Sequence, residues 1–297
     1  MTTLANTAQD ATSQSASSRL AFTKMHGLGN DFVMINGVAN RVVLTASQVR
    51  AIADRRTGVG CDQLLIVEPS THPQADFDYR IYNADGGEVE HCGNGARCFA
   101  QFVRAEGLTD KTTIPVNTCA GLIELYVEDA NTVTVNMGVP TFEPDEIPFV
   151  AAQREAWYSL RVGADDYRVG AAAIGNPHTV LDVDDVDAAA VETLGPAIET
   201  HAQFPQRVNV GFRQVVNPGH IRLRVFERGV GETRACGTGA CAAVVIGQVQ
   251  DVLGSEVRVS LPGGDLVVHW RGEGEPVTMT GPTNTVFSGT LDVPQDL

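Results

Sequence analysis

Cysteine, aromatic side chains and positive charge are all scarce in this 297-residue chain. Six cysteines are too few for a disulfide-built scaffold. Twenty-one Lys and Arg against 36 Asp and Glu leave a net charge of −15, which argues against nucleic acid or an anionic membrane surface as partner. No long apolar run is present: the longest, residues 240–247, falls far short of the ~20 residues that span a bilayer. Residues 1–18 contain no Lys or Arg and no apolar stretch, so they lack the parts of a secretory signal or a transit peptide. They read as a disordered tail, residues 1–20, on a cytoplasmic protein whose thiols are expected to be free. With 43% hydrophobic residues, the chain has enough apolar material for about two domains of ~150 residues.

Periodicity predicts many strands and few helices. Residues 31–35 and 63–67 are short apolar runs bounded by turn formers and read as strands, and residues 122–127, 132–137, 221–226 and 256–261 alternate like half-exposed strands. Residues 45–56 start on a Thr or Ser cap with Val49, Ile52 and Ala53 at helical spacing, and predict a helix. No glycine-rich dinucleotide or phosphate loop occurs in the required strand–loop–helix context.

The chain repeats itself. Residues 80–96 and 224–240 share Arg, Ile/Val, Tyr/Phe, then Gly-Glu, then Cys-Gly-x-Gly-Ala, with Cys92 and Cys236 144 residues apart. Gly29-Asn30 matches Gly175-Asn176, and Gln63 matches Asn209, at an offset of 146. Such a half-length repeat implies two duplicated domains related by a pseudo-two-fold axis. Each copy places its cysteine before an apolar run (98–103 and 241–246) that reads as a buried helix, so each thiol stands at a helix N-terminus. There the macrodipole and unpaired N–H groups are expected to lower the thiol pKa and to hold a carboxylate. Two thiols facing one another across a cleft suit inversion at an α-carbon, because one removes a proton from one face while the other delivers a proton to the opposite face. The helix ends would stabilise charge developing beside the carboxylate. A disulfide between the two cysteines is an alternative; a zinc site is weakly supported, since no Cys-x-x-Cys pair exists and His91 lacks a partner at ligand spacing. Cys61, Cys98, Cys119 and Cys241 read as packing or incidental residues.

From residue 22 to 297 the chain resembles the diaminopimelate epimerase family. The resemblance rests on segments 24–32 (Lys-Met-His-Gly-Leu-Gly-Asn-Asp-Phe), 58–63 (Gly-Val-Gly-Cys-Asp-Gln), 82–86 (Tyr-Asn-Ala-Asp-Gly), 92–98 (Cys-Gly-Asn-Gly-Ala-Arg-Cys), 175–178 (Gly-Asn-Pro-His), 207–209 (Arg-Val-Asn), 227–228 (Glu-Arg) and 235–239 (Ala-Cys-Gly-Thr-Gly). It implies an α/β (α+β) fold of two pseudo-symmetric domains, each a sheet wrapped around a central helix, with the active site in the interdomain cleft. The expected boundaries are residues 21–137 plus 282–297 for one domain and 138–281 for the other. The implied activity is epimerisation of LL-diaminopimelate to the meso form, without cofactor or metal, on the route to lysine and peptidoglycan precursors.

Carried over position by position, the resemblance makes Cys92 and Cys236 the proton-transferring pair, with His178 and Glu227 beside them. Asn30, Gln63, Asn83, Asn176, Asn209, Glu227 and Arg228 would hold the polar ends of the substrate, and Gly93-Asn94 and Gly237-Thr238 would receive the reacting carboxylate. The residue types suit these tasks: amides both donate and accept, Arg228 can pair with a carboxylate and Glu227 can accept from an ammonium. A homodimer is implied, although Phe287 stands where the family often has a Tyr at dimer contacts. A proline or hydroxyproline racemase on the same fold is the near rival, and a redox or metal-binding protein the distant one; Asn83, Asn209 and Arg228 count against the former, whose ring substrate has no second amino-acid end.

Overall fold

A computed structural model of the chain describes residues 19–89, 93–119 and 121–293. The residue 1–18 part of the expected tail, and both His91 and Cys92, lie outside the described residues. The first repeat contains β1 (Arg19–Gly27), β2 (Asn30–Asn36), α1 (Ala46–Ala53), β3 (Gln63–Pro69), β4 (Phe77–Asn83), β5 (Glu88–Val89), α2 (Gly93–Ala105), β6 (Thr113–Thr118), β7 (Gly121–Val127) and β8 (Thr132–Asn136). The second contains β9 (Tyr158–Val162), β10 (Asp165–Ala173), β11 (Pro177–Asp182), α3 (Val191–Glu199), β12 (Asn209–Asn217), β13 (His220–Glu227), β14 (Gly231–Thr233), α4 (Gly237–Val249), β15 (Glu256–Leu261), β16 (Gly264–Trp270) and β17 (Val277–Pro282); β18 (Asn284–Asp292) then returns to β1.

The two repeats share one pairing scheme. β2–β3 and β11–β12 are parallel, as are β4–β6 and β13–β15, while the remaining pairs are antiparallel. The registers also match: Phe32 faces Gln63 as His178 faces Asn209, and Ile81 faces Val89 as Val225 faces Thr233. β8 and β17 join the halves through an antiparallel ladder in which Val135 lies opposite Met279, its own counterpart 144 residues on. The pseudo-two-fold axis therefore passes between these two residues. This is the two-domain α/β arrangement expected from the repeat.

The middle strands β2, β3, β11 and β12 are buried on both faces, which is why they read as continuous apolar runs rather than alternating ones. Phe32, Met34 and Leu65 pack inward with Phe99 and Val103 of α2, whereas Val33, Ile35 and Leu64 pack outward with Val49 and Ile52 of α1. α4 is the counterpart of α2; it carries no charge, and its residues 239–247 are all buried. The repeated Arg and Gly-Glu of the sequence have a structural task. Arg80 Nε and Nη2 donate to the Glu88 carboxylate at 2.8 and 3.0 Å, and Arg224 makes the same fork to Glu232 at 2.6 and 2.7 Å. These paired bonds pin the hairpins β4–β5 and β13–β14, each of which carries a site residue at its turn.

α1 is shorter than the sequence predicts. Thr45 and Gln48 form the capping box that starts it, but Asp54 ends it by accepting the backbone N–H groups of Arg56 and Thr57, diverting the chain into a turn.

Candidate active site

The second-repeat thiol sits where the repeat put it. Cys236 is the N-cap of α4 in extended backbone (φ −119°, ψ 110°), buried, with its Sγ 3.6 Å from Thr238 Oγ1. Glu227, the last residue of β13, faces it: its carboxyl acts electrostatically on the thiol, and Thr233 Oγ1 donates to Glu227 Oε1. The expected lowering of this thiol is reversed. Burial pushes Cys236 well above the ordinary thiol value, and the neighbouring Glu227 carboxylate adds to it, outweighing the bonds from Thr238 and the Gly239 backbone. Cys236 is therefore a thiol at neutral pH. Burial also raises Glu227 despite the opposing pull of Thr233 and Cys236, and the negative charge of Asp62 in the other half reinforces this.

Four further site residues of the second repeat surround this pair. His178 is buried beside Asn209 in the β11–β12 ladder, with Nε2 2.8 Å from Asn176 Oδ1. Burial, helped by the positive charge of Arg228, pushes His178 down to about 3, so its ring is neutral at physiological pH. Asn209 uses its amide internally: Nδ2 donates to Pro177 O at 2.9 Å, and Oδ1 accepts the Arg228 N–H at 2.9 Å. The Arg228 side chain is exposed, with Nη1 donating to Gln206 O at 3.1 Å. Asn209 thus shapes the turn that presents Glu227 and Arg228.

The first repeat contributes amides backed by an ion network. Gln63 Nε2 donates to Asn83 Oδ1 at 2.9 Å, and Gln63 Oε1 is buried without a hydrogen-bond partner among the described residues. Asn30 Nδ2 donates to Asp62 Oδ2 at 2.9 Å. Arg55 ties Asp62 (2.6 Å) to Asp31, which it grips with both terminal nitrogens, and Lys24 Nζ lies 2.6 Å from Asp31. Burial alone would raise Asp31, but the bonds from Arg55 and Lys24 overcome it and hold the carboxyl well below the usual range.

The halves meet at the two helix ends. Asn94, in the first turn of α2, donates through Nδ2 to Asn30 Oδ1 (3.3 Å) and to Ala235 O (3.2 Å), the residue before Cys236. Its Oδ1 accepts from the buried Arg97 at 2.8 Å. The Asn94 side chain thus bridges the halves. Gly93 and Gly237 both abut Met279 on the pseudo-two-fold axis: a Cβ on either would come within 2.9–3.0 Å of its Cε. A larger residue at either position would have to push that flexible side chain aside.

The sequence profile of diaminopimelate epimerase matches residues 22–143 and 170–286, one stretch in each repeat. The chain belongs to the diaminopimelate epimerase family. Solved structures share its fold at low identity. A hydroxyproline epimerase from Agrobacterium vitis, with bound trans-4-hydroxy-L-proline, is 18% identical with a TM-score of 0.67, covering 93% of this chain and 94% of that one. A PhzF-family phenazine biosynthesis protein from Bacillus anthracis is 15% identical with a TM-score of 0.66, covering 92% and 99%. A methylitaconate-delta-isomerase is 15% identical with a TM-score of 0.62, covering 92% and 95%. This family member thus has the fold of epimerases and isomerases.

Asp62, bound by Arg55, and Arg97, bound to Asn94, stand inside the family-like segments without a task legible from sequence alone. Their signal was charge in runs otherwise glycine-rich or apolar. Among the described residues, no group of three or more His, Cys, Asp or Glu side chains is placed to hold a metal ion, and no helix is long and apolar enough to cross a membrane.

Proposed function

We propose that this protein epimerises LL-diaminopimelate to meso-diaminopimelate by two-base proton transfer between Cys92 and Cys236, without an organic cofactor or metal. The observation that carries the reading is the Cys236–Glu227 pair at the start of α4, together with the same Cys-Gly-x-Gly-Ala stretch 144 residues earlier, where Gly93 opens α2. Cys236 rests as a thiol, so in one direction it is the acid that delivers a proton to the carbanion-like Cα while Cys92 accepts the proton leaving the opposite face; the reverse direction exchanges the roles. The N–H groups at Gly93-Asn94 and Gly237-Thr238 receive the adjacent carboxylate as it takes on enolate character. Glu227, beside the thiol, accepts from the ammonium on the reacting carbon. His178 is neutral and serves as a hydrogen-bonding wall with Asn176.

Two amino-acid ends explain the number of amides. Gln63 with its open Oε1, Asn83, Asn30 and Asn176 supply both donors and acceptors, Asn209 fixes the turn that presents Arg228, and Arg228 supplies a paired contact to a carboxylate. The protein works in the cytoplasm as a homodimer in this reading. Incubation of LL-diaminopimelate in deuterated water should give the meso form with deuterium at the inverted carbon. Racemisation of proline or hydroxyproline with no turnover of diaminopimelate would overturn the assignment.

A further inference from the structure

The turn that carries both Glu227 and Arg228 is held from beneath by a residue with no contact to the reacting atoms. Glu199 is the last residue of α3 and only 6% exposed. A helix C-terminus is the electrostatically wrong end for a carboxylate, and burial adds to the cost. Its Oε1 accepts the Gly229 N–H at 2.7 Å and lies 3.6 Å from Arg207 Nη1. Gly229 follows Arg228 directly and turns with φ +75°, and the Arg228 N–H is fixed on Asn209 Oδ1. Two consecutive backbone N–H groups of this turn are therefore held by buried side-chain oxygens. α3 is a firm base for one of them, since Gly195 packs so closely on Phe226 of β13 that an added Cβ would lie 2.6 Å from the ring.

The first repeat does the same job by other means. Its corresponding turn is pressed on α1, where a Cβ on Gly86 would lie 2.5 Å from Ala46 O, and Arg50 Nη1 donates to Asp85 O at 3.2 Å. The helix under each turn thus fixes the reading residue above it: by shape in the first repeat, by a buried carboxylate in the second.

We propose that Glu199 is a positioning residue for substrate recognition: through the Gly229 N–H it fixes the angle at which Glu227 and Arg228 meet the polar groups of the amino-acid substrate. The inference rests on the reading of this site as a diaminopimelate site. It assigns Glu199 to binding, not to proton transfer, so its loss should appear in KM.

The test compares E199A, E199D and E199Q in steady-state epimerisation of LL-diaminopimelate. E199Q keeps an acceptor oxygen at the same reach and should stay within about threefold of wild type. E199D keeps the charge but withdraws the acceptor by one methylene, and E199A removes it; both should raise KM about ten- to hundredfold, the scale of one lost charge-assisted hydrogen bond, with kcat within about threefold. If E199A does not fold, the E199D–E199Q contrast decides alone. Wild-type KM in E199D, or a fall in kcat at constant KM, would overturn the proposal. A wild-type enzyme inactive on diaminopimelate would instead overturn the substrate assignment, and this inference with it.

Discussion

The two repeats use one backbone scheme but fix their halves of the site with different chemistry. In the first, Lys24, Arg55, Asp31 and Asp62 form a charged lattice behind Asn30, and α2 carries Arg97 fully buried. In the second, α4 has Cys241 at the position of Arg97 and His178 replaces Phe32 in the matching register, while the buried charges stand elsewhere: Arg213 binds Asp182 and Ala243 O of α4, and Glu199 holds the turn that follows Glu227. The rims differ as well. The β1–β2 turn of the first repeat seats Leu28 in the core of the second, with Leu28 O against Gly263, and a Cβ added at Gly29 would lie 3.4 Å from the Arg234 side chain, whereas one added at the equivalent Gly175 meets no described atom within 4 Å. In the function proposed above, one end of the substrate reacts while the other is only held, and that division of labour needs such a divergence. Identical halves would read both ends alike.

The largest test of this comparison concerns the pair held to be equivalent. Cys92→Ala and Cys236→Ala should each lower epimerisation at least about a thousandfold, since each removes one of two obligatory proton carriers. Retention of near-wild-type turnover by either variant, followed by α-proton exchange in deuterated water, would break the equivalence.

Next in size is the rim. Gly263→Ala would put a Cβ 1.9 Å from Leu28 O and should destabilise the fold by roughly 3 kcal/mol, whereas Gly175→Ala, in open space at φ +71°, should cost only about 1 kcal/mol of backbone strain. Equal shifts of the denaturant midpoint in the two variants would refute the asymmetry.

The last effect is in acid. His178 is held down to about 3 from 6.5, so the folded state resists its protonation; its stabilising contribution is complete above pH 6.5 and is lost as pH falls towards 3. The slope is at most about 1.4 kcal/mol per pH unit. Asp31, also depressed, begins to withdraw its contribution only below its unfolded value of 3.8. His178→Asn should flatten the stability profile between pH 6.5 and about 4, which is second-repeat territory, and leave the steeper fall below it. An unchanged profile in that window would place the acid sensitivity elsewhere.

The duplication was legible because the Arg and Gly-Glu positions make the same ion pair twice and the Cys-Gly-x-Gly-Ala stretch opens the same helix twice. The central strands and the two buried helices were legible for the same reason, their apolar runs being too dense for any exposed element. α3 was not: its N-cap, Ala190, makes no side-chain bond, and Pro196 stands inside it, so neither start nor interior carries a helix signal. The thiol at the N-cap of α4 was placed correctly but its electrostatics were not. Helix position can be read along the chain; the carboxylate that faces it, Glu227, comes from the neighbouring strand β13 and acts only once the sheet has formed. Glu199 was invisible likewise, since its partner lies 30 residues away and is a backbone N–H.

β18 pairs with β1, Arg19 lying opposite Asp292, so the first repeat borrows its outer strand from the far side of the second. On the ribosome this sets an order of events. The second repeat is one continuous stretch and can close as soon as β17 emerges, while β1 keeps an open edge through the whole of that synthesis. The half made first is thus the half finished last.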